Sequence, residues 1–281
     1  MMNMILNISG VAILIISVLI LSFYGRTVLK GKIPTPLFAF FAILFTSGLD
    51  VGLIMFPLTE FPVFESDPVY QFTNPLAVEF GFWGFYIWLF YFITTFYFCL
   101  LEPRLKIFQI PLVKWANNLI IITTCSFTGY LFLSYLPEFI DGIQPLYQYG
   151  LVGLTLLVAV FSSTDVRYIR YLSIGSAWLF FSLIAVMWFY SELRLTGFAS
   201  NLVQLSDYFQ NLPKFIFPFS AYHAFYLYWW FAWSIMIGQF VSRFVGGLKT
   251  WQLLLALLVI CLLYTSPSPR DQRGSRMPSC A

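Results

Sequence analysis

Long apolar runs separated by short charged loops make up most of the chain. A helix needs about 20 predominantly apolar residues to cross a bilayer. Seven runs reach or approach this length, at about 5–24, 35–57, 79–101, 115–136, 146–161, 172–190 and 221–241. An eighth and shorter run, at about 251–264, is followed by a stretch rich in Pro, Ser and Arg. The pattern predicts an all-α integral membrane protein, a polytopic helical bundle with about eight spans.

The loop charges agree on one orientation in the membrane. Basic residues follow the first, third, fifth and seventh runs, whereas the loops after the second and fourth runs carry only acidic charges. Because Lys and Arg stay on the cytoplasmic side, we expect a multi-pass protein of the cell (plasma or inner) membrane with the N-terminus of this chain outside. Apolar residues at helical spacing over 197–212 predict an amphipathic helix at the membrane surface.

Composition narrows the chemistry further. The chain has 60% hydrophobic and 10% charged residues, and its formal net charge is +3, whereas a soluble domain carries about 25% charged residues. A charge this small gives no reason to expect a nucleic-acid partner. The single histidine, His223, excludes bis-histidine haem ligation, and the four cysteines lack metal-site spacing. We therefore expect neither an enzyme, nor a cofactor, nor a metal site.

Aromatic residues are concentrated in two of the runs. The seventh run places three tryptophans within about 100° of a helix surface: Trp229, Trp230 and Trp233. They form either an interfacial aromatic belt or a wall for a cationic ligand, because ring faces attract cations. The third run carries a similar stripe, which one continuous helix would place on a single broad face: Trp83, Trp88 and Tyr91. In so Phe-rich a chain, such a stripe is also typical of simple packing.

One carboxylate lies deep inside a predicted span. An ionisable group in that position is costly and indicates a functional site, so Asp50 is a candidate for ion coupling. The alternative is a structural role through hydrogen bonds to neighbouring Ser or Thr residues. Gly48 and Gly52 flank it at a spacing that lets helices approach closely, and they also permit a local break in the helix. We expect Asp50 to carry a proton or to act as the counter-charge of a cationic substrate.

Four stretches together resemble the betaine/carnitine/choline transporter family. Its FGR segment and glycine-rich helix are similar to 24–26 and 44–53, with Glu60 further on. Its W-x4-W-x2-Y helix is similar to the aromatic stripe of the third run, and its external surface helix to 207–212. Its tryptophan signature resembles 225–233, followed by Gly238 and 242–243.

The resemblance implies a LeuT-like inverted-repeat transporter fold, in which each five-helix repeat begins with an interrupted helix. Runs two to six would form the first repeat, and run seven would start the second. A peripheral helix before Ile5 and most of the second repeat after Ile260 would be missing. We interpret 1–264 as an incomplete transmembrane transporter domain and 265–281 as a non-native read-through tail, and we expect this chain not to transport by itself.

The family also implies a site and a function. Its aromatic box around a trimethylammonium group corresponds to Trp83, Trp88, Tyr91 and Trp230, with Trp229 and Trp233 as neighbouring pathway residues. One sodium site would use the backbone carbonyls of Thr46 and Leu49. Because Asp50 replaces a family glycine, the coupling ion, Na+ or H+, stays open.

The expected function is ion-coupled uptake of quaternary-ammonium compatible solutes such as glycine betaine, choline or carnitine, for osmoprotection. The expected partners are that small solute and the lipid bilayer, and the sequence leaves a homo-oligomer open. Two alternatives also stay open: a transporter of the same fold for another solute such as an amino acid, and a membrane subunit without a transport function.

Overall fold

The computed structural model describes residues 2–54, 60–140, 142–190 and 195–265. Within these ranges, the side chains of 2–3, 48–54, 83, 135, 138–139, 184, 187–188, 190, 195–202 and 260–265 lie outside the description. The stretch 266–281, which is almost the whole predicted tail, lies outside the described residues. The interpretations of that tail and of the incomplete domain therefore stay predictions.

The described residues form thirteen α-helices and two short strands. In chain order they are α1 Met2–Tyr24, β1 Val28–Lys30, α2 Leu37–Ile54, α3 Phe61–Ser66, α4 Pro75–Trp83, α5 Phe85–Phe96, α6 Glu102–Leu105, α7 Pro111–Phe139, α8 Pro145–Ser163, α9 Val166–Tyr190, α10 Leu195–Gln210, α11 Leu212–Ile216, α12 Ala221–Ser242, β2 Gly246–Lys249 and α13 Thr250–Thr265. About 83% of the described residues are helical.

Four helical stretches of the described chain are long and apolar enough to cross a membrane. They are Met4–Tyr24, Pro75–Leu105, Pro111–Ser134 and Pro145–Ser163. The other predicted spans fall on α2, α9, α12 and α13. The structure thus confirms a helical membrane protein, while the LeuT-like repeat arrangement and the orientation of the N-terminus stay predictions.

Helix α5 is the centre of the bundle. It packs along α12 and also contacts α1 and α13, while α2 packs against α9 and α13. The side chains of α5 are buried on every face, because Trp, Tyr and Phe residues follow one another through this helix with no charged position. Helix α8, in contrast, has no buried side chain among its described residues. Its apolar surface is the kind that lipid covers in a membrane.

A short two-stranded antiparallel ribbon adds to the predicted helices. Strands β1 and β2 pair Val28 with Lys249 and Leu29 with Leu248, and the register then skips one residue. The skipped residue, Gly247, has a φ of +85°, a conformation that glycine adopts without strain and that is typical of a bulge. The ribbon joins the connection after α1 to the connection between α12 and α13. The basic residues that follow the first and seventh runs therefore lie at the same end of the bundle.

Two helices bear on further expectations from the sequence. Helix α2 continues without interruption through Gly48 and Gly52 to Ile54, where the resemblance implied a break. Each glycine costs a helix only about 1 kcal/mol, which is less than leaving backbone groups unpaired in apolar surroundings. Helix α10, predicted to lie at the membrane surface, packs on α4, and its position relative to the membrane stays a prediction. Its Tyr208 is fully buried there, because the helix has an apolar face that α4 covers.

Candidate functional site

The candidate site is formed where α5 meets α12. The two helices approach closely at Gly238, where an added Cβ atom would lie 2.5 Å from the Cβ atom of Thr94. Only a residue without a side chain leaves room for this contact, which is how small residues bring membrane helices together. The approach brings the aromatic residues of the third and seventh runs together, although about 140 positions separate them in the sequence.

Three of the predicted box residues form one buried cluster. The ring of Tyr91 lies 6.4 Å from that of Trp230 and 5.2 Å from that of Trp88, with both pairs edge to face. Trp88 and Trp230 are each 2% exposed, and Tyr91 is 3% exposed. These rings face the protein interior rather than lipid, so the belt interpretation does not describe Trp230. Edge-to-face pairs of this kind stabilise a fold, and the role of the three rings in binding a cation stays a prediction.

A break at Gly84 separates Trp83 from the other two members of its predicted stripe. Gly84 ends α4 and precedes α5, and a Cβ atom there would lie 2.3 Å from the carbonyl oxygen of Phe80. The prediction that one continuous helix carries Trp83, Trp88 and Tyr91 is therefore wrong. Trp83 is the last residue of α4, and its side chain lies outside the description.

The break is closed by side chains from two other helices. The backbone N–H of Tyr86 donates to the hydroxyl oxygen of Tyr208 in α10, at 3.2 Å. In an unbroken helix, that N–H would donate to the carbonyl of Phe82. The Phe82 carbonyl instead accepts a 2.9 Å hydrogen bond from the indole nitrogen of Trp230. Helices α12 and α10 thus both contribute a side chain that stabilises the break.

The other two tryptophans of α12 lie on its neighbouring face. The rings of Trp229 and Trp233 are nearly parallel, 6.1 Å apart. Trp229 is half-buried and packs 4.5 Å from Phe127 of α7. Their role along a substrate pathway stays a prediction.

The predicted ion-coupling residues lie in α2. The backbone there is helical, but the structure does not describe side chains over 48–54, which include Leu49 and Asp50. The hydroxyl of Thr46 lies 2.9 Å from the carbonyl oxygen of Ala42 and 3.0 Å from the hydroxyl of Ser173 in α9. Thr46 therefore links α2 to α9, and the sodium site stays a prediction.

An apolar cavity of about 270 Å³ lies between α2, α9 and α13. Phe45, Trp178 and Val259 are among its lining residues, and none of the three cluster residues is. Its wall has almost no polar group, so it offers nothing to orient the carboxylate of a zwitterion. The aromatic cluster therefore remains the stronger candidate.

A buried carboxylate beside α12 was missed as a site residue. Glu60 was expected in an external loop, but it is only 5% exposed. Its Oε1 atom accepts hydrogen bonds from the hydroxyls of Tyr222 and Tyr226, the second at 2.9 Å. Burial raises the pKa of Glu60 to about 7, and the two tyrosine hydroxyls act in the opposite direction. The sequence signal was a pair of tyrosines four residues apart at the start of an apolar run.

Two curated proteins of Vibrio parahaemolyticus are similar to this chain. Glycine betaine transporter 1 is 22% identical over 301 aligned residues, which cover 88% of this chain and 56% of that relative. A glycine betaine/proline/choline transporter is 29% identical over 82 residues, which cover 25% of this chain and 14% of that relative. This chain is similar to betaine transporters.

The match covers only part of each relative, and this limits what the similarity implies about function. The chain spans about half the length of the relative that it matches along most of its own sequence. No family model matches the chain. The similar proteins are transporters and not enzymes, and they imply a small solute and a membrane environment.

Proposed function

We propose that this chain is part of an ion-coupled secondary transporter that takes up a quaternary-ammonium solute, such as glycine betaine, choline or carnitine, across the cell membrane. The observation that carries the proposal is the buried contact of Tyr91 with Trp230, with Trp88 beside them, in a chain similar to betaine transporters.

The chemistry of the solute fits the cluster. A trimethylammonium group carries a charge but has no N–H to donate, so hydrogen-bonding side chains cannot hold it. Ring faces attract it, at about 0.5–2 kcal/mol for each ring. Entry of the group would replace the ring-to-ring contacts of Trp88, Tyr91 and Trp230 with ring-to-cation contacts. The carboxylate of a zwitterionic solute would then need a separate polar partner.

The energy for uptake would come from a gradient of Na+ or H+. Asp50 and the carbonyls of Thr46 and Leu49 are the proposed coupling groups on α2. Because α2 packs against α9 and α13, a change in α2 reaches the bundle through those two helices. The choice between the two ions is tested by measuring solute binding at varied sodium and pH.

Equilibrium dialysis of the purified chain in detergent tests the proposal with radiolabelled glycine betaine, choline and proline. We expect saturable binding of betaine or choline, weakened about 2- to 30-fold when Trp88 is replaced by Leu. Trp115→Leu is the matched control, because Trp115 of α7 is 65% exposed and outside the cluster. Binding of proline with no betaine binding would favour an amino-acid transporter. No binding of any of the three solutes would contradict the proposal and favour a subunit without transport.

A further inference from the structure

A carboxyl group is buried at the end of α12 opposite the β1–β2 ribbon. One oxygen of Glu60 accepts both tyrosine hydrogen bonds, while the other, Oε2, is buried without a hydrogen-bond partner. We propose that Glu60 is a proton-binding site whose protonation state controls how firmly the outer end of α12 is held. The link to transport rests on the proposed function, but proton binding itself does not.

The groups around Glu60 favour a proton as its ligand. Tyr222 and Tyr226 face it from α12, and Tyr70 lies near it in the turn after α3. The ring of Phe82 in α4 lies 5.4 Å from that of Tyr226 and 5.9 Å from that of Tyr222. The one ion pair among the described residues joins Arg167 to Asp165, so no Lys or Arg of the described chain neutralises Glu60. A buried carboxylate without a cation is neutralised most easily by a proton.

The hydrogen bonds explain what protonation changes. In the ionised state, both phenol O–H groups donate to a charged oxygen, and such bonds are roughly twice as strong as neutral ones. A proton from water binds the unpartnered Oε2 atom and converts the carboxylate to the neutral acid. The two tyrosine bonds then weaken to neutral ones. Desolvation outweighs the two bonds in their net effect on the pKa of Glu60, so the ionised carboxylate is the less stable form in this buried position. Loss of the proton therefore loosens α12 from the segment that precedes α3.

The change is close to the tryptophan cluster. Tyr226 and Trp230 are four residues apart in α12, so they lie one turn from each other on the same face. Trp230 in turn donates to the Phe82 carbonyl, and the Phe82 ring packs on Tyr226. A looser Tyr226 thus acts on Phe82, whose carbonyl oxygen holds the Trp230 ring in position.

Infrared difference spectroscopy of the purified chain in detergent tests proton binding without any solute. We expect a protonated-carboxyl band that disappears with a midpoint near pH 7 and is absent in Glu60→Gln. Tyr226→Phe should shift the midpoint upward, because its hydroxyl lowers the pKa of Glu60. Glu65→Gln is the matched control, an exposed acid in the same segment, and should leave the midpoint unchanged. A band that survives in Glu60→Gln, or a midpoint near the ordinary value of 4.5, would overturn the proposal.

Betaine dialysis at pH 5.5 and pH 8.5 separates this inference from the proposed function. Betaine binding without a Glu60 band would leave transport standing and overturn the proton site. A Glu60 band without betaine binding would support the proton site and contradict the proposed function.

Discussion

The indole nitrogen of Trp230 donates to the carbonyl oxygen of Phe82 across the α4–α5 break, at 2.9 Å. The bond joins α4, which ends at Trp83, to α12, which carries three tryptophans of the candidate site. Because a hydrogen bond fixes the plane of the indole, Trp230 does not rotate freely as a binding surface. The orientation of the Trp230 ring therefore depends on the break at Gly84, which leaves the Phe82 carbonyl free to accept this bond.

Replacing Trp230 by Phe should destabilise the protein while keeping an aromatic ring at the site. The variant loses one buried hydrogen bond to the Phe82 carbonyl, which costs about 1–3 kcal/mol in the free energy of unfolding. Trp230→Ala should cost about 3–5 kcal/mol, because the whole ring is removed. Chemical denaturation in detergent measures both.

The control for this pair is Trp115→Phe, at an exposed position of α7, which should change the free energy of unfolding by less than about 0.5 kcal/mol. If Trp230→Phe were as stable as this control, the Phe82 hydrogen bond would have no structural role.

Replacing Gly238 by Ala should push α5 and α12 apart. The added Cβ atom would overlap Thr94 at 2.5 Å, and the backbone of α5 lies just behind at 2.8 Å. Overpacking of this kind costs about 1–3 kcal/mol. We expect lower stability together with weaker betaine binding, measured by denaturation and by dialysis.

Gly153 of α8 offers the matched control, since a Cβ atom there meets nothing within 4 Å. Gly153→Ala should be neutral or stabilising by up to about 1 kcal/mol. Equal behaviour of the two alanine variants would show that the α5–α12 contact is not tight at Gly238.

Sequence pattern was enough for the helices, because length and apolarity are local properties. The pairing of the two aromatic runs was implied by the family resemblance and not by ring spacing. It did not reveal the break at Gly84, since the apolar run continues through it without a polar residue. The β ribbon was missed because its strands are three and four residues long and come from opposite ends of the chain. Glu60 was placed in a loop because the tyrosines that bury it are 162 and 166 positions away.

Replacing Asp50 by Asn or Gly should change how solute binding depends on pH and sodium. A carboxylate inside a membrane span is costly and needs a function to retain it. If it carries the proton, both variants lose the pH dependence. If it is a counter-charge, they lose choline binding but keep betaine binding. Dialysis across pH and sodium measures both profiles, and wild-type profiles in both variants would leave Asp50 with a structural role.

The stability of the protein should fall as pH rises through 7. The pKa of Glu60 is raised in the folded state from 4.5 to about 7, so folding favours the protonated form. This contribution is fully present below pH 4.5 and is lost as pH rises through 7. The difference corresponds to about 3 kcal/mol. Thermal unfolding between pH 5 and pH 8 measures it.

The matched variants are Glu60→Gln, which should remove most of this pH dependence, and Glu65→Gln, which should keep it. A melting temperature that rises between pH 5 and pH 8 in the wild-type protein would contradict the assignment.

The β1–β2 ribbon anchors the C-terminal end of α12. The ribbon and the adjoining backbone bonds of Gly31 to Val245 and Ile33 to Arg243 clamp the chain just beyond the C-terminal end of this helix. A 22-residue helix is about 33 Å long. A tilt of about 10° around the clamped end would carry the other end through about 6 Å, by the same geometry. Such a tilt would therefore displace the N-terminal end of α12 most, and Tyr222 lies at that end.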